Sequence, residues 1–150
     1  MIQVLCPTEA DTTAFVSKLA ADLRPGDVVS LIGELGAGKT RFVSGLAAGL
    51  GVDETVASPS FVLVREYRSG FLPLYHADAY RLSSLAEFDD LDIFNRAADG
   101  ILAIEWGNAV EPMLGESYLE LVIERLPDEA RVLKMTGHGS WRGRDLESVR

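Results

Sequence analysis

Residues 31–40 read LIGELGAGKT. The last eight fit the pattern G-x-x-x-x-G-K-[ST], a loop whose backbone N–H groups turn inward around phosphate oxygens. Gly33, Gly36 and Gly38 permit that turn. The helix that starts near Lys39 has no side-chain cap of its own in the sequence, so its free N–H groups and dipole are expected to meet an anion. In this reading Lys39 reaches the β- and γ-phosphates and Thr40 Oγ ligates Mg²⁺. The expected nucleotide contacts are Gly33, Glu34, Leu35, Gly36, Ala37, Gly38, Lys39, Thr40 and Arg41. The alternative is a Gly-rich turn with no ligand. It is disfavoured because an apolar strand, DVVSLI (27–32), precedes the loop and an amphipathic helix, RFVSGLAAGLG, follows it.

The flanking elements read as an α/β chain. TEADTTAFVSKLAADL repeats Phe15, Leu19 and Leu23 at helical spacing, with Thr8 as N-cap and Asp11 three residues on; RPGD ends the helix. Gly51 follows the second helix as its C′ residue. FVLVREY (61–67) and LPLYHADAY each hold a strand, SLAEFDDLDIFNRA begins a helix at Ser84, and GILAIEW (100–106) is a dense apolar run ending in a carboxylate. YLELVIERL, PDEA and RVLKMTG make a late antiparallel hairpin. The pattern predicts a P-loop NTPase-like mixed β-sheet flanked by helices, with at least one parallel βαβ step and a C-terminal antiparallel hairpin. One domain is expected over residues 1–136, followed by a loosely ordered, Gly- and Arg-rich tail at 137–150.

Composition narrows the function classes. A 47% hydrophobic and 25% charged content is that of an ordinary soluble domain, and no apolar run approaches the roughly 20 residues of a membrane helix. The start, MIQVLCPTEAD, reads as no export signal, and the single Cys6, expected to be inert, fits a reducing cytoplasm. A net charge of −9 repels a polyanion from most of the surface, so RNA is expected to be met only through a local patch or a basic partner protein.

A P-loop NTPase needs an acid that holds Mg²⁺ or orients the attacking water, usually at the end of a neighbouring strand. Glu105 ends ILAIE and Asp78 follows LPLYHA. Either is otherwise a solvated carboxylate at a strand end. His76 either places a water or packs structurally, and the attacking-water base stays open among Asp78, Glu105 and His76. Ser60, in SPSF (58–61), either touches the metal or γ-phosphate or belongs to a Ser-Pro turn. Trp106 stacks on a base, faces a partner or packs in the core; Arg81 pairs with Asp78, reaches phosphate or makes a surface ion pair. The acidic run EFDDLD reads as a solvated helix face.

GELGAGKT, SPSF, HADAYRL and IEW, in this order and in so short a chain, resemble the TsaE (YjeE) family over roughly residues 5–125. The phosphate loop is widespread, whereas HxDxYRL together with IEW is far more selective. The resemblance implies a P-loop ATPase of bacterial tRNA threonylcarbamoyladenosine formation, with ATP on the loop and Mg²⁺ held by Thr40 and Glu105. It links Asp78 and Trp106 to activity, makes SPSF a switch, and puts Glu9 and Thr12 beside the base. It also implies docking on a TsaB–TsaD pair, whose TsaD transfers the threonylcarbamoyl group to A37 of tRNAs reading ANN codons, with hydrolysis that is weak without the partners. Ser60 stands where the family usually has Thr and keeps the hydroxyl; beyond Trp106 no residue role carries over.

Two other functions fit a P-loop chain. A small-molecule kinase needs an acceptor pocket and an Arg-bearing lid, but Arg65, Arg68, Arg81 and Arg96 are scattered. A nucleotide-gated binding module would use ATP to order a docking face, with hydrolysis incidental.

Overall fold

The computed structural model describes residues 1–149 except Leu35, residues 58–62 and residues 82–83; the side chain of Arg81 also lies outside the description. Ser60 and the first two residues of the strand expected at 61–67 therefore fall outside it.

The described residues build one mixed sheet of seven strands, β1 (Ile2–Cys6), β2 (Val28–Ile32), β3 (Val64–Tyr67), β4 (Leu74–Asp78), β5 (Ile101–Glu105), β6 (Tyr118–Arg125) and β7 (Arg131–His138). Their order is β1-β7-β6-β2-β5-β4-β3. β2 runs parallel to both β5 and β6, and β4 runs parallel to β5, while β3, β7 and β1 are antiparallel to their neighbours. The central strands are buried on both faces and read as near-continuous apolar runs, as parallel strands do.

Alternation along the strands divides the core. Val29, Leu31, Ala103 and Leu121 face α1 (Glu9–Ala21) and α2 (Lys39–Gly49), where Phe15, Leu19, Phe42 and Leu46 pack. Val28, Tyr75, Leu102 and Ile104 face the other layer, with Phe88 of α3 (Leu85–Asp90), Ile93 of α4 (Ile93–Arg96) and Val110 of a 3-10 segment, Gly107–Met113. The period of two puts Glu105 on the same face as Ala103, and His76 and Asp78 on the same face as Leu74, which is the α2 side.

The local signals act as expected at several ends. Thr8 Oγ1 accepts the Asp11 N–H at 3.2 Å and the Asp11 carboxylate accepts the Thr8 N–H at 3.0 Å, closing a reciprocal cap. Gly51 adopts φ +81° after α2.

Four segments differ from the reading of the sequence. Ile2–Cys6, given no strand, pairs with β7 from Ile2↔Met135 to Cys6↔Arg131; five residues at a sheet edge carry too short an alternation to identify a partner. The helix expected from Ser84 breaks between α3 and α4, where Asp92 takes the left-handed φ of +49°. β3 begins only at Val64, after Leu63 at φ +60°. The tail expected to be loose from residue 137 is instead packed through Val149: β7 continues to His138, and Trp141 and Val149 join the core. The Arg144 guanidinium holds both oxygens of Asp27 at 2.9 Å and lies 3.7 Å from the Trp141 ring. Gly and Arg content suggested disorder, but one buried indole and one chelating ion pair anchor the segment.

Candidate functional site

The site forms where three parallel strands end together. Leu31 of β2 is in register with Glu105 of β5, and Glu105 is in register with Asp78 of β4. The chain leaving β2 becomes the phosphate loop, so the loop starts beside both carboxylates. In open α/β sheets this carboxyl edge is where ligands bind.

Gly36 and Gly38 take φ of +80° and +109°, and Gly38 is the N-cap of α2 without a side-chain hydrogen bond. The first-turn N–H groups of α2 therefore have no side-chain acceptor from the cap and converge as anion donors. Lys39 is 5% exposed. Its ammonium donates to the carbonyls of Gly33 at 2.6 Å and Glu34 at 2.9 Å, and sits 4.2 Å from the Trp106 ring centroid. Burial pushes the Lys39 ammonium below the ordinary lysine range, and the charges of Glu105 and Asp78 draw it partly back.

Thr40 Oγ1 lies 3.2 and 3.0 Å from the two oxygens of Glu105, across 65 residues of sequence. Glu105 is 6% exposed, and its other partner is Nε2 of His76, which is completely buried. Asp78 is also buried and accepts the Tyr80 N–H at 3.0 Å. Trp106 takes the left-handed φ of +60° at the turn leaving β5, a conformation unfavourable for a bulky residue, and its ring meets Tyr80 at 4.8 Å.

The donors fit a hard divalent cation. A hydroxyl and a carboxylate are brought together next to a helix N-terminus, hard oxygen donors that could hold such an ion. Among the described residues no group of three or more His, Cys, Asp or Glu is placed to hold a metal.

A second cluster flanks the loop. Glu9, Thr12 and Arg41 gather around Gly38 at a cavity of about 40 Å³, which Arg131 also lines. Arg41 pairs with Glu9 at 3.3 Å, and Thr12 Oγ1 donates to the Thr8 carbonyl at 3.4 Å. Along the other side of the loop runs a cleft of about 890 Å³, bordered by Gly33, Glu34, Ala37, Trp106, Asn108 and Ile123. The structure thus gathers the expected residues at one sheet edge, apart from Leu35 and Ser60, which lie outside the described residues.

Two participants were not given their place by the sequence. Arg131 of β7 donates from Nε to the Ala37 carbonyl at 2.7 Å, bracing the loop from a hairpin almost a hundred residues away; nothing near Arg131 in sequence marks it. His76 was read as water-placing or packed, and its contact to Glu105 depends on a strand neighbour that the sequence does not name.

Comparison with known proteins identifies the family. The family model described as "Threonylcarbamoyl adenosine biosynthesis protein TsaE" matches residues 6–133. A Bacillus subtilis (strain 168) protein named "tRNA threonylcarbamoyladenosine biosynthesis protein TsaE" is 41% identical over 130 residues, covering 87% of this chain and 82% of its own length. A Streptomyces coelicolor protein of the same name is 44% identical over 137 residues, covering 86% of this chain and 93% of its own. The crystal structure of Bacillus subtilis YdiB superposes with a TM-score of 0.77 at 37% identity, covering 92% of this chain and 86% of that one. A phosphate loop whose threonine meets the carboxylate of the IEW turn, and homology along nearly the full chain, lead to one conclusion: the chain belongs to the TsaE family.

Proposed function

We propose that this chain binds ATP with Mg²⁺ on the Gly33–Thr40 loop and hydrolyses it in the cytoplasm. The hydrolysis assists a TsaB–TsaD pair in forming the threonylcarbamoyl group on N6 of adenosine 37 in tRNAs reading ANN codons. The observation that carries the reading is the pairing of Thr40 Oγ1 with both Glu105 oxygens at the mouth of α2. The names of the relatives support the pathway.

The residues divide the work. The loop amides and Lys39 hold the phosphates, and the Lys39 ammonium exchanges its carbonyl partners for phosphate oxygens as they enter. Thr40 and Glu105 hold the cation, which when bound neutralises charge on the β- and γ-phosphate oxygens. Asp78, with one oxygen committed to the Tyr80 N–H, orders the attacking water with the other. Glu9, Thr12 and Arg41 border the base and Trp106 shields the lysine. With a net charge of −9 the chain meets tRNA only through its partners. Among the described residues no helix is long and apolar enough to cross a membrane.

The test is phosphate release with and without the cognate TsaB–TsaD pair. Release that is slow alone and rises at least about tenfold with the pair, a barrier change near 1.4 kcal/mol, is expected. No stimulation by the pair, or transfer of phosphate to a small acceptor, would overturn the reading.

A further inference from the structure

His76 is an expensive residue to bury. It is completely inaccessible in the middle of β4, where an aliphatic side chain would pack without any polar cost. Its Nε2 contacts Glu105, whereas its Nδ1 is buried with no partner among the described residues. A buried polar atom left unpaired keeps the cost of its lost hydration. Among the described residues, the one hydrogen bond of this ring runs to the site carboxylate.

Facing a carboxylate, Nε2 is assigned as the donor of that bond. Arg65 is the cross-strand partner of His76 on β3, and among the described residues its buried Nε likewise has no partner. Glu105 is thereby held from two sides, by Thr40 Oγ1 and by His76 Nε2, in one orientation at the end of β5.

We propose that His76 is a positioning residue, which holds the Glu105 carboxylate in the orientation that presents it to Thr40 and the metal. This rests on the reading of Glu105 as a metal ligand. Groups that orient a ligating carboxylate typically change metal affinity by about 10–100-fold when removed.

The experiment measures Mn²⁺ binding by electron paramagnetic resonance in the presence of ADP, together with ADP affinity without metal, for the full chain and three variants. Gln at position 76 places its amide nitrogen near the imidazole Nε2; Asn places it near Nδ1, short of Glu105. His76→Asn is expected to weaken Mn²⁺ binding about 10–100-fold and His76→Gln to stay within about 3-fold of the parent, both with unchanged metal-free ADP affinity. Glu105→Ala is expected to lose the tight site. Equal Mn²⁺ affinity in both His76 variants, retained or lost alike, overturns the proposal. If Glu105→Ala binds Mn²⁺ as the parent does, the metal reading itself is wrong. Should the buried substitutions unfold the chain, ¹⁵N-histidine spectra of the parent decide, since the chain has two histidines. An Nε2–H signal for His76 that shifts in Glu105→Ala supports the assignment, and an Nδ1–H tautomer overturns it.

Discussion

Lys39 and Trp106 form the contact most exposed to a change of ligand. The ammonium lies 4.2 Å from the indole centroid while bonded to two loop carbonyls. Phosphate oxygens compete for that ammonium, so the electrostatic environment of Trp106 changes when nucleotide binds. Addition of ATP with Mg²⁺ is expected to change the tryptophan emission, and Trp106→Phe to abolish the change. The chain has two tryptophans, and Trp141 is sealed in the core by the C-terminal segment. A full response retained in Trp106→Phe would refute this.

Tyr75 sets a pH limit away from the site. Its hydroxyl donates to Asp99 at 2.7 Å and accepts from Arg68 at 2.7 Å. Burial, then the bond to Asp99, raises the phenol above the ordinary tyrosine range, and burial raises Tyr118 as well. A raised acid keeps its proton longer in the folded chain than in the unfolded one. The stabilisation is therefore complete below about pH 10 and is lost as pH rises through the folded value. Tyr75→Phe is expected to cost about 1 kcal/mol at pH 7 and to make the alkaline fall shallower. Urea midpoints from pH 7 to 11 measure both, and an unchanged alkaline slope would contradict the assignment.

Among the elements, the packing of α1 on α2 leaves no room for a side chain at Gly49. An added Cβ at Gly49 would lie 2.6 Å from the Ala20 methyl and 3.1 Å from the Ser17 Cα, atoms that cannot rotate away. Gly49→Val is expected to destabilise by about 2 kcal/mol despite the gain in helix propensity, because overpacking a helix contact costs about 1–3 kcal/mol. Melting should fall by about 4–8 °C, and an unchanged melting temperature would show that the helices separate freely. α2 itself was legible from the sequence: its apolar period, the phosphate loop before it and Gly51 after it are all local marks. The break at Asp92 was not, since Asp in a charged run looks like an ordinary solvated helix residue until Phe88 and Ile93 must both reach the same core.

The fold as a unit depends on its last dozen residues. Trp141 is 2% exposed, and Arg144 ties the segment to Asp27 at the entrance to β2. Truncation after His138 removes both. The lost indole packing is worth about 3–5 kcal/mol by comparison with Trp→Ala core substitutions. The truncated chain should therefore unfold at a clearly lower urea concentration, and an equal midpoint would show the segment to be dispensable. The order of the strands has a second consequence. β7 lies between β1 and β6, and from this hairpin Arg131 reaches the phosphate loop.

The linear order of residues settles the parts: a phosphate loop between an apolar strand and an amphipathic helix, two carboxylates ending apolar strands, and a late hairpin. These follow from short-range causes, namely glycine freedom, capping, and alternation against water. Assembly settles the neighbours. Strand ladders use the same N–H and C=O groups whichever strands they join, so an apolar run shows that it is buried without showing beside what. Only the packed sheet brings Thr40 against Glu105 across 65 residues, sets His76 behind that carboxylate, and pairs Ile2–Cys6 with the strand that carries Arg131.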